Sequence, residues 1–316
     1  MATAQPLTRE DEVVTTACGL LDRSERGKLA LTGPEAKQFL NGQVTNDVEG
    51  LEPGRGCYAA FLTHKGKMRG DLRVLDLGDE LWLDTERATL QELFNLIRRF
   101  SVGYDVALHK RTLERALLSL VGPESRAVAG ARRLGADEHD SAAGEIAGVP
   151  VRLVATDLGL DVICDSDRAE EVRAALLEGG AVPVSEQAVE CLRVERGRPR
   201  WGLELDDTTI PQEAGLNQRA VSFTKGCYVG QETVARLFYK GRPNRHLRGL
   251  RLTEPALPGA ELRLGDRAVG TLGSVARSPR HGTIGLAILR REAEPGARVA
   301  IGDGGATADV VELPFT

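Results

Sequence analysis

A thiol flanked by a lysine and two glycines is the densest concentration of chemistry in this sequence. It lies in Lys225-Gly226-Cys227-Tyr228-Val229-Gly230-Gln231-Glu232. Glycine admits positive φ and lets another group approach the backbone, which an ordinary helix or strand interior does not need. The Lys225 cation, two residues from Cys227, would favour the thiolate, the reactive form of cysteine. Cys227 is therefore the candidate reactive residue, and the competing reading is a tight turn around an inert, buried cysteine. A helix opening at Gly230-Gln231-Glu232, supported by the spacing of Val234, Leu237 and Phe238, would add its N-terminal dipole. Glu232 acts in the opposite direction.

A second cluster is the loop His64-Lys65-Gly66-Lys67-Met68-Arg69-Gly70. Lys65 and Lys67 could hold an anion there, or the loop could be a solvated hairpin tip. Asp71 follows directly, at the start of an apolar strand, so it either points into a cleft or caps the turn. Residues 185–240 show no clean periodicity and carry Glu195, Trp201, Glu204 and the Ile210-Pro211-Gln212-Glu213 run. Long connections of this kind are often functional.

The elements that must position these groups repeat. Leu29 to Leu31 read as a strand, and Gly33-Pro34-Glu35 turns into a helix holding Ala36, Phe39 and Leu40. Leu117 to Val121, Gly122-Pro123-Glu124, Ala127 and Val128 follow the same plan. Leu81 to Ala88 likewise resembles Val162 to Ala169, each a strand entering a helix, with Thr85 and Ser166 suited to the N-cap. Two diverged copies of one αβ unit are expected. Cys57 to Thr63 and Leu72 to Leu77 read as further strands. Beyond Leu247 the texture changes to short alternating runs split by Pro258-Gly259, Gly265-Asp266 and Pro295-Gly296, which predicts a small β-barrel or sandwich. The expected division is an arm over 1–24, partly ordered at most, αβ regions over 25–110 and 111–240, and a β-barrel over 241–316.

Bulk properties exclude several classes. A net charge of -5 and a pI near 5.7 argue against a general nucleic-acid binder. No signal segment and no membrane-spanning apolar run is evident, so a soluble, cytoplasmic protein without membrane contact is expected. The five cysteines, at 18, 57, 164, 191 and 227, have no Cys-x-x-Cys spacing, and the histidines form no ligand pair. Neither a disulfide framework nor a metal site is expected. Cys164 and Cys191 read as core fillers.

Taken together, Phe39 to Val48, Lys65-Gly66-Lys67, Glu195-Arg196-Gly197, Ile210 to Glu213 and Lys225 to Glu232 resemble the YgfZ-type folate-binding proteins. These are relatives of the aminomethyltransferase (T-protein) of the glycine cleavage system. The resemblance implies an α+β fold of two ferredoxin-like αβ regions forming a folate-binding body, plus a small C-terminal β-barrel. It implies tetrahydrofolate or a derivative as cofactor, and iron-sulfur client or assembly proteins as partners. It places Glu195 against the pterin, whose adjacent N–H donors suit a carboxylate; read alone, Glu195 could equally pair with Arg193 or Arg196. Trp201 could stack on the ring or anchor a core, and Lys65, Lys67, Arg69, Arg236 or Arg242 could meet an anionic tail. Asn46 and Asp47 join the binding set as part of the shared Asn-Asp run, and Lys225 and Tyr228 join it from the octet. Asp71 matches the aspartate that aminomethyltransferases use in catalysis, whereas the octet around Cys227 matches the YgfZ type. The expected role is an accessory factor for iron-sulfur cluster assembly or repair; the alternative is a folate-dependent aminomethyltransferase. A thiol oxidoreductase is disfavoured because no resolving cysteine lies nearby.

Overall fold

The computed structural model describes residues 8–316. Helix α1 (Arg9–Thr16) opens with a reciprocal capping box in which Thr8 and Asp11 each satisfy the other's backbone N–H. Strand β1 (Gly19–Asp22) follows, and Val14, Cys18 and Leu20 are buried. Residues 9–22 of the expected partly ordered arm thus hold a helix and a sheet strand; residues 1–7 lie outside the described residues. An eight-residue helix with one buried side chain carries too little periodicity to be recognised from sequence.

Two αβ units come next. The first comprises β2 (Gly27–Thr32), α2 (Ala36–Asn41), β3 (Gly56–Leu62), β4 (Met68–Asp76), β5 (Leu81–Thr85), α3 (Leu90–Phe100) and β6 (Ala107–Lys110). The second comprises β7 (Arg115–Val121), α4 (Ser125–Val128), β8 (Ser141–Ile146), β9 (Val149–Ala155), β10 (Gly159–Asp165), α5 (Ala169–Glu178) and β11 (Val182–Pro183). Their sheets run β3-β4-β5-β2-β6 and β8-β9-β10-β7-β1-β11. The first four strands of each correspond, so the repeat seen in the sequence is structural. Where the first unit sets its own β6 beside β2, the second sets the N-terminal β1 beside β7.

The Gly-Pro-Glu signature recurs for a physical reason. Gly33 and Gly122 take φ of 111° and 114°, and a Cβ on either would stand 2.3 Å from Asp105 O or 2.4 Å from Ala17 O. Only glycine fits under those carbonyls, which accept from Glu35 N and Glu124 N. The expected N-caps are corrected: Thr85 donates its hydroxyl to Asp71 O, and Ser166 donates to Leu113 O at 2.7 Å. Each ties a strand end to its neighbour, and a single 3₁₀ turn, Arg87–Thr89 or Ser166–Arg168, precedes the helix instead.

Strand alternation gives each sheet two unlike faces. Leu72 and Val74 pack with Leu93 and Ile97 of α3, and Leu118, Leu120, Leu160 and Val162 pack with Val172 and Leu176 of α5. The opposite faces meet each other. At one end Leu75, Trp82, Leu117, Val154 and Ile163 form an apolar contact between the sheets. At the other, Arg73 of β4 bridges Asp84 Oδ2 of β5 and Asp161 Oδ2 of β10, both at 2.7 Å, and Asp161 also accepts from Ser119 of β7 at 2.6 Å.

Helices α6 (Glu186–Glu195), α7 (Asn217–Ala220) and α8 (Gln231–Lys240) lead to β12 (Arg245–Leu252), β13 (Glu261–Leu264), β14 (Arg267–Thr271), β15 (Val275–Ser278), β16 (Gly282–Arg290), β17 (Arg298–Ile301) and β18 (Ala306–Val311). These seven strands form one antiparallel sheet, ordered β14-β13-β17-β18-β12-β16-β15, which curls into a half-barrel over Leu250, Leu262, Leu289, Val299 and Val310. Among the described residues no helix is long and apolar enough to cross a membrane.

Removing one member of a buried ion triad strands the others without a counter-charge. Arg73→Met is expected to lower stability by about 3–5 kcal/mol in urea unfolding. Adding Asp161→Leu should recover at least half of that loss, because the stranded carboxylate is then gone.

Candidate functional site

Asp71 lies two residues before Arg73 on β4, so both side chains leave the same face of the sheet, toward the second unit. There they line a cavity of about 230 Å³ bounded by both sheets, by Val189 and Arg193 of α6, and by Arg219. Asp71 is 9% exposed. Its Oδ2 accepts from the Tyr58 hydroxyl, while its Oδ1 is buried and finds no hydrogen-bond partner among the described residues. Burial raises the carboxyl pKa above the ordinary value, and the Tyr58 bond and the Arg26 charge oppose this. Burial, with the Asp71 charge, also pushes the Tyr58 hydroxyl well above the usual phenol range.

The surroundings fix this pair. The Arg219 guanidinium lies 5.1 Å from the Tyr58 ring centroid. Asn46 Nδ2 donates to Tyr58 O at 2.9 Å and to Arg219 O at 3.2 Å, stitching the two backbones together. Arg219 pairs with Glu138, whose Oε1 is 3.6 Å from His139 Nε2. Burial first, then Arg73, depresses the His139 pKa to about 4, so its imidazole is neutral at pH 7. His139 Nδ1 and Arg219 Nε, like Asp71 Oδ1, are buried without a partner among the described residues. Of the other carboxylates lining the cavity, Asp84, Asp161, Glu86 and Glu186 each have an arginine, whereas the exposed Glu25 has none among the described residues. The cavity thus keeps one carboxylate oxygen of Asp71 and the Nε–H of the otherwise paired Arg219 without partners among the described residues, a combination suited to a flat polar heterocycle.

The octet forms a different place. Lys225 Nζ donates to the carbonyls of Asn41 and Val44 at the end of α2, and Val229 N to Gly42 O at 3.3 Å. Gly230, at φ 85°, opens α8, and a Cβ there would stand 2.5 Å from Thr63 O; one on Gly66 would stand 2.8 Å from Thr233. The octet is therefore pinned to the Lys65 hairpin and to the loop after α2. Tyr228 points inward and packs with Ala60, Leu62 and Met68, while neighbouring Cys227 is exposed.

Several of the expected site residues lie away from the Asp71 cavity. Lys225 commits its ammonium to those carbonyls, and its charge also favours the thiolate of Cys57, which burial nevertheless pushes up to about 12. Burial also depresses Lys225 itself, to about 8. Glu195 faces a second, smaller pocket with Cys191 and Arg280, and its oxygens are committed to Ser278 at 2.6 Å and to Arg280. Trp201 packs against the Leu205 and Tyr228 cluster as a core anchor. Lys67 donates to Thr208 O, Arg69 pairs with Glu92, and Lys65, Arg236 and Arg242 are exposed; none of the five lines the Asp71 cavity. Asp47 accepts from Gly50 N at 3.1 Å in a turn. Asn46 reaches the cavity only through the backbones it ties. Cys164 and Cys191 are buried, as expected. Tyr58, His139 and Arg219 were not foreseen, and the available signal was weak: charged residues at alternate positions 71 and 73 of an apolar strand mark a polar inner face.

Because Asp71 holds its proton more tightly when folded than unfolded, the folded state binds more protons from pH 3.8 upward through the raised value. Stability falls with pH across that window, and the cost persists above it. Asp71→Asn is expected to raise the thermal midpoint at pH 7 by about 2–4 °C, on the order of 1 kcal/mol, with the gain disappearing near pH 3.5. Calorimetric scans at the two pH values test this.

Residues 2–225 match the family described as GCVT N-terminal domain. The chain is 31% identical over 319 residues to an aminomethyltransferase of Rubrobacter xylanophilus, covering 97% of this chain and 85% of the relative. It is 29% identical to a chloroplastic protein of Arabidopsis thaliana that carries a provisional transferase name, over 94% of this chain and 71% of that one. Its fold resembles the glycine cleavage system aminomethyltransferase T of Bartonella henselae, with a TM-score of 0.87 at 23% identity, over 98% of this chain and 89% of that structure.

Proposed function

Since this chain belongs to the GCVT-domain family, within the aminomethyltransferase-like superfamily, we propose that it binds tetrahydrofolate in the cavity at Asp71. The observation that carries this reading is the buried, unpartnered Oδ1 of Asp71 facing a polar cavity between two sheets. Leaving such an atom without a partner costs about 1–3 kcal/mol, and a ligand N–H would remove that cost. Asp71 would accept that bond, with Tyr58 fixing its orientation and Arg219 offering a donor. Bound there, a reduced folate would supply one-carbon chemistry; the protein would orient it and exclude water. Isothermal titration with tetrahydrofolate should give saturable binding, weakened about 10- to 100-fold in Asp71→Ala, the equivalent of one charge-assisted hydrogen bond. Unchanged affinity in a folded variant would refute the assignment.

The finer reading is a YgfZ-type accessory factor that serves iron-sulfur client or assembly proteins through Cys227. Its support is the exposure of that thiol on a rigidly pinned octet, apart from the folate cavity. Cys227→Ser is expected to keep folate affinity within twofold, yet to fail to restore iron-sulfur enzyme activity in cells lacking the native protein. Full restoration by the serine variant would remove Cys227 from the function. A second reading, aminomethyl transfer, is favoured by the position of Asp71 in the cavity. Asp71-dependent ammonia release from an aminomethylated carrier protein would establish it in place of the first.

A further inference from the structure

Helix α8 continues directly from the Cys227 octet and carries a surface that the fold does not use. Phe238 is 45% exposed and Tyr239 66% exposed. They are not loose side chains. Phe238 stacks on Phe223 with centroids 3.7 Å apart, and Tyr239 meets Phe238 edge-on at 5.0 Å. The exposed surface of this rigid aromatic group adds nothing to folding, but it offers a partner a large contact area at little entropic cost.

The charges around this group share a sign. Arg236, Lys240 and Arg242 are exposed, and none has a carboxylate within ion-pair distance among the described residues. Most arginines elsewhere at the cavity are paired. Lys65, on the hairpin pinned to the first turn of α8, is exposed as well, and Glu232 is the acid of that turn. An aromatic centre rimmed by uncompensated cations is the composition of a protein-binding surface, where aromatics and arginine are enriched.

We propose that this face of α8 docks a folded protein presenting an apolar spot ringed by aspartate and glutamate, and that docking brings that protein over Cys227. Ten residues of helix span about 15 Å, and a standard interface covers about 800 Å² per partner, so one footprint reaches both the aromatic group and the thiol. Single-stranded nucleic acid fits less well. One face of Phe238 is already occupied by Phe223, which removes a base-stacking platform, and the chain carries a net charge of -5. The proposal rests on the reading that Cys227 acts on a partner protein.

The test begins with the full chain carrying a photocrosslinking p-benzoylphenylalanine in place of Tyr239 or, separately, Arg236, irradiated in cells that contain the native protein. A cross-linked protein is identified by mass spectrometry, purified, and titrated against the intact chain. Phe238→Ala and Lys240→Glu/Arg242→Glu are each expected to weaken its binding at least tenfold. Raised salt should weaken the wild-type complex, and lysine at the partner's cross-linked acid should restore binding to the charge-reversed variant. Tetrahydrofolate affinity, measured on the same variants, should stay at the wild-type value, which separates failed docking from a failed folate site. The proposal is overturned if neither position cross-links a protein, if the adducts are lipid or nucleic acid, or if the purified protein binds every variant equally.

Discussion

A guanidinium almost without solvent, shared by carboxylates from two different sheets, sets the relation between the two αβ units. Arg73 leaves β4 on the face that looks toward the second unit, and its partners are Asp84 beside it and Asp161 across the gap. The pairing gains little net energy over a well-packed apolar contact, because desolvating three charges offsets much of their attraction. Its value is directional. The apolar contact of Leu75 and Trp82 with Leu117 and Ile163 would tolerate sliding, whereas two 2.7 Å bonds from one planar group fix the spacing and register of the sheets.

The cavity follows from that spacing. Its wall is the polar half of two otherwise apolar interfaces, and arginine neutralises carboxylate nearly all the way round it. Asp71 stands out because tyrosine, not arginine, is its partner, so its second oxygen remains free in a place of low solvation. The same carboxylate therefore destabilises the empty fold and, on the proposed reading, would supply its binding energy, a common relation between stability and function. The octet obeys a different logic: Gly230, Lys225 and Tyr228 spend their chemistry on anchoring, and this anchoring leaves Cys227 facing outward on a firm base.

Much of the architecture was legible because it depends on local rules. The twice-used Gly-Pro-Glu turn reports a carbonyl that excludes any Cβ, and the strands around Leu29, Leu117, Leu81 and Val162 were visible as short apolar runs. Asp71, at the head of one such run, could be read as facing a cleft or capping a turn, and the fold turns it into the cavity. What escaped depends on contacts between distant segments. Arg73 and Asp161 belong to different units, and nothing near either names the other. Tyr58, His139 and Arg219 meet only after both units and the segment before the octet have closed. The position of Glu195 depends on its helix face: it is two residues from Arg193, roughly 200° around the axis, so the arginine lines the Asp71 cavity and the glutamate turns to Ser278 and Arg280. Lys225, near Cys227 in sequence, commits its ammonium to the carbonyls at the end of α2.

The insertion of β1 beside β7 has a consequence for how the chain reaches this state. Residues Gly19–Asp22 pair with Leu118–Val121, and Gly19 and Leu20 with Val182 and Pro183, so a strand made early on the ribosome waits for partners made much later. The first unit can close from its own strands while still tethered, but the second sheet cannot be completed until its last strand, β11, has emerged. Until then β1 presents unpaired backbone and the apolar side chain of Leu20 to its surroundings. Contacts of this sequence separation slow folding and expose strand edges to aggregation, which makes the closing of β1 between β7 and β11 the step of biogenesis most in need of protection.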